Sequence, residues 1–208
     1  MNFPSSGLYA ITQTEHKSLD TIVTEVEAAL RGGAVVVQYR DKQPKDADHL
    51  ANQLLKLCKQ YKVPLLINDD VELALRVGAD GVHLGREDGS IERARQRLGK
   101  QTIVGVSCYD SVEHAQRAQA QGATYVAFGR FFPSSSKPLA LPASIETLRV
   151  AKQVLTVPIV AIGGILPENG ALLLEAGADL LAVIGGVFDD QPERSAKAYR
   201  ALFKSTLN

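Results

Sequence analysis

PLLINDDVELALRVGADGVHLG (64–85) is the stretch on which the architecture turns. It opens with a short apolar run, PLLIND (64–69), bounded by polar residues and sized for a strand. VELALRVG (71–78) then reads as a helix, and Gly78 past its end suits a left-handed cap. Ala79 lets the chain turn tightly into a second strand, GVHLG (81–85). Strand, helix and strand in so few residues imply a parallel pair joined by a right-handed crossover.

The same pattern extends in both directions. Strands are predicted at LYAIT (8–12), VVVQYR (35–40), TIVGVS (102–107), YVAFG (125–129), PIVAIGG (158–164) and LLAVIG (180–185). Helical stretches lie between them, among them Leu19–Arg31, Ala47–Tyr61, Val112–Gln121 and Pro192–Phe203. Gly-Ala pairs at 33–34, 78–79, 122–123 and 177–178 each precede an even strand, and Val-Pro leads into two odd ones at 63–64 and 157–158. Repetition at about two β/α units per period favours an α/β chain folded as a single (β/α)8 TIM barrel domain over 1–208. The competing architecture is a doubly wound open sheet.

A hydrophobic share of 45% is enough for a sizeable core. The balance of 23 basic and 23 acidic residues argues against a broad nucleic-acid or anionic-membrane surface. Cys58 and Cys108 form no CxxC pair and are read as free thiols. No apolar run is long enough for a signal peptide or a membrane span, so a cytoplasmic location is expected. The sequence leaves a homo-oligomer open.

Barrel enzymes carry their chemistry on the loops after the strands. Gln38, Arg40 and Lys42 alternate onto one face while extended, offering an amide, a guanidinium and an ammonium to a polar ring and a polyanion. The alternative is a solvated charge cluster. Asp69 and Asp88 end adjacent strands and suit magnesium, which often binds through one or two carboxylates and phosphates. Alternatively, Asp69 caps the next helix, although Asp70 is better placed to do so, and Asp88-Gly89 is an ordinary turn. Gly163-Gly164 and Gly185-Gly186 could present backbone N–H groups to a phosphate, or be tight turns only. Arg130–Pro142 is long for a βα loop, and its serines and Lys137 could close over phosphates. Ser107 could donate to a departing phosphate or cap the fifth helix. His83 reads as a packed inward residue, and Cys108 as incidental.

VQYRDK (37–42), LLINDDVELALRVGADGVHLGREDGS (65–90), VGVS (104–107), FGRFFPSSSK (128–137) and AIGGI (161–165), taken in order, resemble the thiamine phosphate synthase family along nearly the whole chain. That resemblance implies a transferase that couples 4-amino-2-methyl-5-hydroxymethylpyrimidine diphosphate with hydroxyethylthiazole phosphate. Pyrophosphate leaves in a dissociative, Mg2+-assisted substitution. It places Gln38, Arg40, Lys42, Asn68, Ser107 and Lys137 on the pyrimidine diphosphate, and Asp69 and Asp88 on the metal. Arg40, Lys42, Ser107 and Lys137 would stabilise the leaving group. Ser134, Ser136, Gly164, Ile184 and Gly185 would hold the thiazole phosphate.

The family often has Pro at Arg130, Thr at Ser134 and Ser136, and Ser at Gly185. The missing hydroxyl at Gly185 predicts somewhat weaker thiazole phosphate binding. Two rival readings are a thiazole tautomerase on the same barrel and an idle barrel that binds phosphorylated metabolites. The retained charged set at Gln38, Arg40, Lys42, Asn68, Asp69 and Asp88 favours the synthase.

Overall fold

A computed structural model describes residues 1–85, 90–133 and 141–205. The first half runs β1 (Gly7–Ile11), α1 (Leu19–Gly32), β2 (Ala34–Tyr39), α2 (Ala47–Tyr61), β3 (Leu65–Asn68), α3 (Val71–Val77), β4 (Gly81–Leu84) and α4 (Ile91–Leu98). The second runs β5 (Ile103–Tyr109), α5 (Val112–Ala120), β6 (Tyr125–Phe128), α6 (Ile145–Val154), β7 (Ile159–Ile162), α7 (Pro167–Glu175), β8 (Leu180–Val183), α8 (Gly185–Phe188) and α9 (Pro192–Ser205). The eight strands are parallel and close in sequence order. β1 pairs with β2 on one side and with β8 on the other, Leu8 lying opposite Ala34 and Leu181. That double pairing rules out the open sheet.

Closure explains why the strands read as unbroken apolar runs: each is buried on both faces. One set of side chains, including Tyr9, Val36, Leu66, Ile103, Tyr125, Val160 and Leu180, fills the barrel. The other set, including Leu8, Val37, Ile67, Val104 and Leu181, packs against the helices. The helices answer with one apolar stripe each. In α1 it is Ile22, Val26, Ala29 and Leu30, as the spacing predicts. In α2, Leu50 and Leu54 are fully buried, and each contributes about 1.5–3 kcal/mol. Ser18, Asp46, Asp70, Ser90 and Ser111 cap α1 to α5, each side chain accepting a backbone N–H of the first turn.

The residue after three of the Gly-Ala pairs secures the N-terminal end of the preceding strand. Asp80 Oδ2 accepts from Leu65 N at 3.0 Å, and Asp179 Oδ2 from Ile159 N at 2.9 Å. Thr124 Oγ1 accepts from Val104 N at 3.0 Å. In each case the same residue's own N–H returns a bond to that strand residue's carbonyl. Two backbone groups at the start of each of these strands are thereby satisfied.

Two features depart from the sequence reading. β5 runs to Tyr109 rather than ending at Ser107, because its register with β6 shifts between these residues and Gly129 N still donates to Tyr109 O at 2.9 Å. The short helix α8 was not anticipated; four residues are too few to show a period. Cys58 and Cys108 are free and buried, and burial pushes both thiols up to about 12. Among the described residues no helix is long and apolar enough to cross a membrane.

Candidate active site

The strands' C-terminal ends open onto a cavity of about 350 Å³, with a recess of about 120 Å³ beside it. Gln38, Arg40, Asn68, Asp69, Ser107, Gly164, Ile184 and Gly185 all line the cavity. Lys42 lines the recess together with Arg40 and Gly185. Positions scattered over most of the chain therefore meet at one mouth. Asp88, Ser134, Ser136 and Lys137 lie outside the described residues.

β2 ends at Tyr39, yet Arg40 stays aligned with it. Its N–H donates to Thr12 Oγ1 at 2.9 Å, and that hydroxyl donates back to Arg40 O at 2.9 Å. The guanidinium is thus carried by a backbone clamped to the end of β1. Lys42 is exposed, and its ammonium meets Glu15 Oε1 at 3.2 Å. Such a pair on the surface holds little energy, so an anion could draw the lysine away at small cost.

Asp69 and Asp70 have separate tasks. Asp70 caps α3, its Oδ1 accepting from Leu73 N at 2.8 Å. Asp69 sits in the left-handed region at φ 63, inside a tight turn in which Asp70 N donates to Asn68 O at 2.7 Å. An aspartate there stores on the order of 1–3 kcal/mol of strain, a feature that clusters at functional sites. The turn aims the carboxylate at the cavity. Oδ1 accepts from Gly85 N at 3.1 Å and Oδ2 from Asn68 Nδ2 at 2.6 Å. A carboxylate has about four lone-pair sites, so an oriented Asp69 of this kind fits a hard cation.

Ser107 does not cap α5, because Ser111 does. Its Oγ lies 2.9 Å from His83 Nε2, at one end of a buried polar chain. His83 Nδ1 is 2.8 Å from Tyr125 OH, which is 2.8 Å from Tyr9 OH. Gln38 Nε2 donates to Tyr9 OH at 2.7 Å. Burial pushes both phenols above their ordinary range, so they remain protonated. His83 is inward-packed, as expected, but it is also a link between two site residues. Nothing in one sequence could reveal that link, since a tyrosine in an apolar strand reads as core.

The far wall is built by β7 and β8. Gly164 has φ 62, and a Cβ there would lie 2.3 Å from Pro133 O, so both the turn and the contact need glycine. Asn169 fastens it, donating to Gly164 O at 3.1 Å while accepting from Leu166 N at 2.8 Å. At Gly185 a Cβ would lie 2.5 Å from Asp189 Oδ2. Gln13 Nε2 in turn holds Asp189 Oδ1 at 2.9 Å. The space that a serine side chain would use is therefore taken by a carboxylate. Arg130, noted above only as a departure from the family pattern, also lines the cavity, as do Asp189, His83 and Tyr9.

The family profile "Thiamine monophosphate synthase" matches residues 8–187. The thiamine-phosphate synthase of Marinobacter nauticus is 52% identical over 202 residues, covering 95% of this chain and 90% of that protein. That of Methylococcus capsulatus is 51% identical over 188 residues, covering 89% and 84%. Among solved structures, thiamine phosphate pyrophosphorylase from Pyrococcus furiosus superposes with a TM-score of 0.88 at 33% identity, covering 98% of both chains. The barrel is shared with that structure and about half the aligned residues with the two relatives, and the chain belongs to the thiamine monophosphate synthase family of transferases.

Proposed function

We propose that this chain couples 4-amino-2-methyl-5-hydroxymethylpyrimidine diphosphate with hydroxyethylthiazole phosphate to give thiamine phosphate and pyrophosphate. The observation that carries the reading is convergence: an amide, a guanidinium, an oriented carboxylate and two glycine turns face one cavity. In the reaction the bond from the pyrimidine methylene to the diphosphate oxygen breaks, and its electron pair leaves with pyrophosphate. The thiazole nitrogen then gives its lone pair to the methylene carbon. The aminopyrimidine ring can delocalise the cation formed in between, so the step is dissociative and needs no protein nucleophile.

The residues divide accordingly. Gln38 and Asn68 hold the pyrimidine. Arg40, Lys42, Ser107 and Lys137 receive charge on the departing oxygens. Gly164, Ile184 and Gly185, with Ser134 and Ser136, hold the thiazole phosphate so that its nitrogen faces the carbon it attacks. Asp69 and Asp88 would hold magnesium, which when bound supplies Lewis-acid neutralisation of the diphosphate. The fit of Asp69 to that task rests on its orientation by Gly85 and Asn68. The same reading takes the chain as one cytoplasmic barrel domain whose partners are small phosphorylated molecules.

The direct test mixes both substrates with and without magnesium and measures pyrophosphate and thiamine phosphate. Equal release of both products, dependent on magnesium, is expected. No product in either condition would sink the reading.

A further inference from the structure

Gln38, Tyr9, Tyr125, His83 and Ser107 come from β2, β1, β6, β4 and β5, and they are joined by four consecutive hydrogen bonds through the barrel interior. The direction of the chain follows from donor accounting. A phenol has one hydrogen to give. Tyr9, 1% exposed, already accepts the Gln38 amide hydrogen. Were Tyr125 to donate to it as well, the buried Tyr9 hydrogen would give up its hydrogen bond to Tyr125. On this accounting Tyr9 donates to Tyr125, and Tyr125 to His83 Nδ1. A histidine that accepts at Nδ1 carries its hydrogen on Nε2. That proton goes to Ser107 Oγ.

We propose that His83 is a positioning residue for the reaction: by donating to Ser107 Oγ it turns the serine's own hydrogen into the cavity, where it serves the leaving pyrophosphate. With the opposite tautomer the serine would spend its hydrogen on the imidazole and face the phosphate with lone pairs. The chain begins at Gln38 on the pyrimidine side and ends at Ser107 on the leaving-group side. Its polarity thus fixes donor direction at both ends of the substrate before binding. The inference rests on the reaction proposed above.

A double-mutant cycle tests it, with kcat and KM measured for both substrates. His83→Leu and Ser107→Ala should each lower kcat about tenfold, the size of one lost hydrogen bond. Because His83 acts through Ser107, the double variant should be no slower than Ser107→Ala alone. His83→Gln, whose amide N–H can stand where Nε2–H stood, should recover most of kcat. Tyr125→Phe keeps its ring stacked on Phe3 at 4.1 Å and cuts only the relay. It should slow wild type but leave Ser107→Ala unchanged, and it decides the matter if His83→Leu does not fold. Losses that multiply in the double variants, or wild-type kcat in both His83→Leu and Tyr125→Phe, would overturn the proposal. An inactive wild type would instead overturn the assigned reaction.

Discussion

The two ends of the barrel use polar side chains in opposite ways. At the N-terminal ends of the strands, Asp80, Thr124 and Asp179 turn to the backbone and satisfy the first N–H of β3 and β7 and the second of β5. At the C-terminal ends, Asp69, Ser107 and Gln38 face a cavity, and the backbone beneath them is strained at Asp69 and bulged after Ser107. Aspartates thus serve the register at one end and line the cavity at the other. On the proposed function, stability and chemistry are separated along the barrel axis by about the length of a strand.

Substitution should expose that separation. The largest effect on turnover is expected for Asp69→Asn, about a hundredfold in kcat with a weakened response to magnesium. Asparagine tolerates the left-handed conformation, so thermal stability should barely move. A collapse in Tm with normal magnesium response would assign Asp69 to the frame instead. At the other end, Asp179→Ala removes the acceptor for Ile159 N and the partner of Lys152 Nζ at 2.5 Å. It should cost about 2 kcal/mol, roughly 4–8 °C in Tm, with kcat nearly unchanged. A large loss of turnover at full stability would break the comparison from that side. The smallest effect is expected for Asp70→Ala, beside the site but pointing into α3. Loss of the cap should cost about 1 kcal/mol in urea unfolding, with kcat within a few-fold of wild type. A hundredfold loss there would mean that the two adjacent aspartates share one task.

Much of this was legible in the sequence because the barrel is a repeating object. Once Gly-Ala and Val-Pro mark the strand starts, the strand ends follow, and the residues at those ends are the ones that meet at the cavity. Asp69 and Asp70 could be sorted because a cap must adjoin its helix. The illegible part is what closure creates. Tyr9 and Tyr125 are 116 residues apart, and each is an aromatic in an apolar strand until the barrel brings their hydroxyls together. The Asp189 carboxylate beside Gly185 is equally invisible, because α8 is a single turn that leaves no periodic trace. The expectation of weaker binding at Gly185 considered only a missing hydroxyl, whereas the structure adds a carboxylate beside it.

The bonds made by Asp80, Thr124 and Asp179 also bear on how such a chain can change. Each ties the first or second residue of one strand to the lead-in of the next. A strand anchored at its start cannot slip by a residue when its far end is rewritten, and a one-residue slip would turn every side chain to the wrong face. Loops at the mouth can then lengthen or exchange residues without misaligning the staves beneath them.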